Sequence, residues 1–108
     1  MKLPADSIID PRKVTEYLLR LREEDDKSLF LAQAGYTLEN APRLLADLRE
    51  QILTLEAEVI GPFEYGMKFR IRGILKGPTG GELRIVSIWV TLGTTGKTRF
   101  VTLYPEKS

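Results

Sequence analysis

The apolar positions of this chain change period near residue 54. Before that point they recur at helical spacing. Val14, Tyr17, Leu18 and Leu21 follow one another at i, i+3, i+4 and i+7, an amphipathic stripe. Asp10 suits the N-cap of that helix and Pro11 its first position. The acidic run Glu23-Glu24-Asp25-Asp26 opposes the dipole at the helix C-terminus and suits the start of a new helix at Lys27. That second, short helix carries Leu29, Phe30 and Leu31 and stops at Gly35, a natural residue for a left-handed C-terminal turn. A third helix opens between Thr37 and Asn40, with Pro42 in its first turn, and runs through Leu44, Leu45, Leu48 and Ile52.

Beyond residue 54 the pattern alternates. A short strand spans Glu56 to Ile60 and is closed by Gly61-Pro62. A second spans Gly66 to Lys76, with Gly73 marking a bulge. Gly77-Pro78-Thr79-Gly80-Gly81 carries the residues of a tight turn and closes a hairpin. A third strand spans Glu82 to Leu92. Val86, Ile88, Val90 and Leu92 read as its core face, and Arg84, Ser87, Trp89 and Thr91 as the more polar or amphipathic positions. Gly93-Thr94-Thr95-Gly96 turns the chain into a last strand, Lys97 to Tyr104. Three close connections imply an antiparallel meander. The expected architecture is therefore α+β, one domain over residues 1–108. N-terminal helices (1–54) pack on one face of a four-stranded antiparallel meander sheet (55–108), and the other face stays partly open.

Charge sharpens this picture. The net charge of +1 conceals an asymmetry: residues 1–54 hold eight Lys/Arg against ten Asp/Glu, and residues 55–108 hold eight against five. Lys68, Arg70 and Arg72 alternate with Met67, Phe69 and Ile71, so the cations share one strand face. Cations in a row repel one another. Either they are solvated edge guards against aggregation, or they face an anion such as a phosphate backbone. Arg84 and Arg99 add to the same half of the chain. Trp89 is the single tryptophan; on the open face it is a stacking platform for a base, and otherwise it packs under a loop or sheet edge. Thr102 and Tyr104 bring a hydroxyl and a phenol to one face of the last strand. Lys27 pairs with Asp25 or Glu23, or joins a site.

Composition narrows the chemistry. The chain has no cysteine and no histidine, which excludes a disulfide framework, thiolate catalysis and His-based catalysis, and argues against a zinc or haem site. No phosphate-loop or dinucleotide-binding glycine motif is present. The acidic run at 23–26 lacks the spaced ligands and central glycine of a calcium loop. No segment approaches the ~20 apolar residues of a membrane span, and the first residues lack the apolar core of a signal peptide. The cytoplasm is the default expectation, and a module delivered by a larger protein is the other one.

Several stretches together resemble a family of small uncharacterised bacterial domains. They are Ile9 to Val14 with Tyr17-Leu18-Leu19; Lys27-Ser28 leading to Phe30 and Gly35-Tyr36; Leu48 to Leu53; Tyr65 to Phe69; Gly77-Pro78 and Gly80; Ser87 to Val90; and Arg99 to Pro105. That family in turn looks like the barnase–EndoU–colicin–RelE-like ribonuclease toxins, in element order and in the Thr-x-Tyr-Pro ending of the last strand. The resemblance implies a metal-independent endoribonuclease that needs no cofactor. It implies RNA as substrate and a small acidic antitoxin or immunity protein as partner. By match to the pattern, Lys27, Trp89, Thr102 and Tyr104 would be the site-bearing positions, with Arg70 added: Lys27, Arg70, Thr102 and Tyr104 catalytic, and Trp89 binding nucleic acid beside the cations of the charge pattern, Lys68, Arg72, Arg84 and Arg99. Several members of the wider group use histidine, which this chain lacks; RelE-like members work with Lys, Arg and Tyr. The alternative is a non-catalytic interaction module on a toxin-like fold, holding a protein or a nucleic acid.

Overall fold

Asp10 begins the first helix as its chemistry predicts: its Oδ1 accepts the Arg12 N–H at 2.9 Å. In the computed structural model, which describes residues 1–20 and 27–106, helix α1 spans Lys13–Leu18 and has π geometry. The Leu19 N–H reaches back five residues to the Val14 carbonyl at 2.9 Å. Val14 and Leu18 are buried and Tyr17 is half-buried at the edge of that stripe. Leu21 and the acidic run 23–26 lie outside the described residues. Helix α2 spans Ser28–Ala32, and the turn that follows it contains Gly35 with φ of +92°, three residues beyond the helix's last residue. A 3₁₀ turn, Leu38–Asn40, leads into α3, Ala41–Asp47, which continues as a π turn over Leu48–Ile52. The Asn40 Oδ1 accepts the Thr37 N–H at 2.8 Å and fixes that entry.

The sheet is the expected meander, with order β1-β2-β3-β4 and every neighbouring pair antiparallel. Its strands are β1 (Glu58–Phe63), β2 (Gly66–Lys76), β3 (Glu82–Leu92) and β4 (Thr98–Pro105). Two local expectations need correction. Gly61-Pro62 does not close β1 but lies inside it, where the register shifts between Val59 and Gly61. An edge strand tolerates a proline because one row of its N–H groups has no partner strand. Gly73 is not a bulge, since β2 and β3 pair without interruption through Gly73 and Ile85. A Cβ at Gly73 would stand 2.5 Å from Leu55 Cδ1, so the glycine lets the end of the third helical segment approach the sheet. The loop 77–81 also does more than close a hairpin. It docks on the end of α2, with the Thr79 N–H 3.3 Å from the Ala34 carbonyl.

The helices cover one sheet face, and the core lies between. Leu18, Leu31, Leu44, Leu48 and Ile52 pack from the helical side against Ile71, Leu75, Ile85, Trp89 and Leu103, all fully buried. This inverts the face expected for β3. Both rows of β3 carry large apolar residues, so alternation alone cannot choose between them. The helices take the row Leu83, Ile85, Ser87 and Trp89. Trp89 meets Phe100 edge to face, with centroids 5.3 Å apart. The polar atoms of that row are satisfied internally. Trp89 Nε1 donates to Ser87 Oγ at 2.8 Å, and Ser87 Oγ donates to the Ile71 carbonyl at 3.0 Å.

A polar knot, buried at Tyr36 and Asp47, ties α3 to the end of β2. Tyr36 donates its phenol proton to Asp47 Oδ2 at 2.6 Å, and Arg43 Nε donates to the same oxygen at 2.9 Å. Gln51 exchanges two hydrogen bonds with the backbone of Lys76. Among the described residues no helix is long and apolar enough to cross a membrane.

Candidate nucleic-acid interface and reactive cluster

Strand pairing sets out the open face as rows running across the sheet. Lys68, Val90 and Arg99 form one row. Glu58, Arg70, Ile88 and Thr102 form the next. Arg72, Val86 and Tyr104 form a third, and Ile74 with Arg84 a fourth. Lys68, Arg70, Arg72, Arg84 and Arg99 therefore share this face with Tyr104. Val86 and Val90 are buried although they stand outside the core cluster. Val90 sits between Lys68 and Arg99, and Val86 between Arg72 and Tyr104; side chains of this kind lay their apolar parts on such neighbours while their polar ends reach solvent. The basic rows thus have a structural role beside any binding role.

Trp89 is removed from the surface altogether. It is 0% exposed, so no base can stack on it without opening the core. The aromatic groups that do reach the open face are Tyr104, which is 41% exposed, and Phe63, whose ring carries Lys68 Nζ at 5.6 Å from its centroid.

Two of the cations are held by a carboxylate. Glu58 Oε2 lies 3.1 Å from Arg70 Nη2, and Glu58 Oε1 lies 3.4 Å from Arg72 Nε. Beside this pair opens a cleft of about 420 Å³, lined by Arg70, Arg72, Val86, Tyr104, Pro105 and Glu106.

The second part of the site lies at the edge of β4. The N-terminal segment runs parallel to this strand: the Ile8 N–H donates to the Thr98 carbonyl and the Phe100 N–H to the Ile8 carbonyl, both at 2.8 Å. After Asp10 the chain turns into α1, which brings Tyr17 beside the next stretch of β4. The Tyr17 hydroxyl lies 3.1 Å from Thr102 Oγ1, and Lys27 Nζ donates to it at 3.2 Å. Lys27 is 8% exposed, and its ammonium also lies 5.1 Å from the Tyr17 ring centroid; Lys13 Nζ stands at 5.3 Å. Tyr17 can accept from Lys27 while it donates to Thr102, and Thr102 then faces the Leu103 carbonyl at 3.4 Å. Hydrogen bonds in such a row polarise and strengthen one another.

The sequence candidates therefore fall into two groups. Lys27 and Thr102 meet through Tyr17, and Arg70, Arg72 and Tyr104 meet in the cleft. Thr102 and Tyr104 are two residues apart on β4, about 7 Å along a strand. Lys68, Arg84 and Arg99 lie on the same face outside both groups. Sequence reasoning missed two members. Tyr17 was absorbed into the apolar stripe of α1, although a tyrosine at the edge of such a stripe buries its ring and offers its hydroxyl. Glu58 was missed because its role depends on strand register.

Residues 2–107 match a protein family described as "Domain of unknown function (DUF6883)", and the chain belongs to that family. No curated protein and no solved structure gives a significant match.

Proposed function

We infer that this member of the DUF6883 family binds RNA on its open sheet face and cleaves it beside the edge of β4. The observation that carries the reading is the hydrogen-bonded set Lys27, Tyr17 and Thr102, placed two strand residues from a cleft with two guanidiniums and a phenol. A cation, an orienting hydroxyl and an acid–base group are the minimum for metal-independent phosphodiester cleavage.

In the proposed reaction the ribose 2′-oxygen attacks the adjacent phosphorus, and its proton passes to a lysine or tyrosine acting as base. The bond to the 5′-oxygen breaks, and that oxygen takes a proton from a second group. The products are a 2′,3′-cyclic phosphate and a 5′-hydroxyl. Arg70 and Lys27 stabilise the charge that develops on the phosphorane, where fixed cations act most strongly. Thr102 orients the phosphate by a hydrogen bond, and Tyr104 supplies the second phenol of the site. Within this reading the protein is a toxin-like ribonuclease, and a small acidic antitoxin or immunity protein would cover the basic face.

The test is incubation of the purified protein with RNA in EDTA, alone and with ribosomes, followed by sequencing of RNA ends. Cyclic-phosphate ends are expected from the wild type. Lys27→Ala, Thr102→Ala, Tyr104→Phe and Tyr17→Phe should each slow cleavage by about 10²-fold or more without loss of fold. RNA left uncut by the wild type under every condition would move the protein to the second reading, a non-catalytic interaction module. One specific observation favours that reading: Glu58 already pairs with both cleft arginines, as a partner's carboxylate would.

A further inference from the structure

Building on the RNA reading above, we propose that the Arg70–Arg72–Tyr104 cleft is a seat for one phosphodiester, and that Glu58 is its built-in competitor. Glu58 uses both carboxylate oxygens, one on each guanidinium. A carboxylate and a phosphodiester are both singly charged, and each offers two oxygens to the same guanidinium fork. The exchange of one for the other conserves charge in the cleft.

The geometry makes Glu58 displaceable. It sits on the edge strand β1 with its side chain 51% exposed, and an exposed ion pair contributes only about 0–1 kcal/mol. Arg70 is more enclosed, with a side chain 32% exposed. Its Nε is buried and has no hydrogen-bond partner among the described residues. A donor in that condition gains from an acceptor that reaches it, and Glu58 engages Nη2 instead. Val86 floors the cleft and Tyr104 flanks it. Glu106 also lines it, and its carboxylate repels a second negative charge. The seat therefore selects a diester over a monoester dianion.

The test uses the full chain at low salt and the dinucleotide thymidylyl-thymidine, which has one diester and no 2′-hydroxyl to react. Binding is followed by the NMR resonances of the arginine Nε–H groups. In the wild type the Arg70 and Arg72 resonances should move, and thymidine 5′-monophosphate should bind more weakly than the dinucleotide. Glu58→Gln should tighten dinucleotide binding about fivefold, because an exposed carboxylate no longer competes for the two guanidiniums. Adding Arg70→Lys should remove that gain.

Equal or weaker binding by Glu58→Gln would overturn the proposal. So would shifts confined to other arginines, or absence of binding by both proteins. Because the probe cannot be cleaved, the two readings fail separately. A Glu58→Gln protein that binds more tightly while the wild type leaves RNA uncut would retain the seat and remove the nuclease. RNA cleavage with an indifferent Glu58 would do the reverse.

Discussion

The two faces of the sheet are built from similar alternating rows and behave differently. On the helix-covered face Ile71, Ile85, Trp89 and Leu103 are fully buried against helical leucines, and the one serine in the row is hydrogen-bonded. On the open face the valines of β3 sit between lysine, arginine and tyrosine side chains, whose charged or polar ends remain available. One face spends its side chains on packing. The other combines packing with a surface of fixed charges, and a ligand can replace solvent there without opening the core.

The contrast is sharpest at Trp89. Trp89→Ala should destabilise the domain by about 3–5 kcal/mol, the cost of a large cavity in a packed core. Urea denaturation checks it, and a change below about 1 kcal/mol would mean that this face is not the core. Gly77→Ala tests how firmly the loop 77–81 is seated. Its Cβ would fall on the backbone carbonyl of Ala34, so a loss of about 1–3 kcal/mol is expected.

A smaller effect concerns Tyr36. Burial, reinforced by the hydrogen bond and negative charge of Asp47, pushes its phenol well above the ordinary tyrosine value of about 10. The folded state then keeps a proton that the unfolded chain releases as pH rises past about 10. Stability from this group is complete below that pH and is lost progressively above it. Tyr36→Phe should flatten the alkaline fall of the melting temperature relative to the wild type. An identical slope in both proteins would contradict the assignment.

Much of this architecture was legible in the chain. The meander follows from turn residues at 77–81 and 93–96 between alternating runs, and the helix ends follow from Asp10 and Gly35. The basic row Lys68, Arg70 and Arg72 was correctly grouped on one strand face because alternation fixes relative facing. Absolute facing was not legible. On an interior strand with two apolar rows, helix packing decides which row is inner, and that decision moved Trp89 from a proposed stacking platform into the core. The site was half legible. Thr102 and Lys27 stood out as polar groups in suggestive places, but the phenol that joins them came from a helix 85 residues away in sequence from Thr102. Glu58 acquired its meaning only from the β1–β2 register.

The central claim is that the open face, with the adjoining edge of β4, is the surface that meets RNA. Backbone amide NMR of the labelled protein during titration with a short RNA tests it most directly, repeated at rising salt. The account predicts shifts on β2 around Lys68 to Arg72 and on β4 around Arg99 to Tyr104. Affinity should fall steeply with salt as phosphate counterions are released, and Arg70→Ala should weaken it. Shifts confined to α3 or the loop 77–81, or an affinity indifferent to salt, would contradict it.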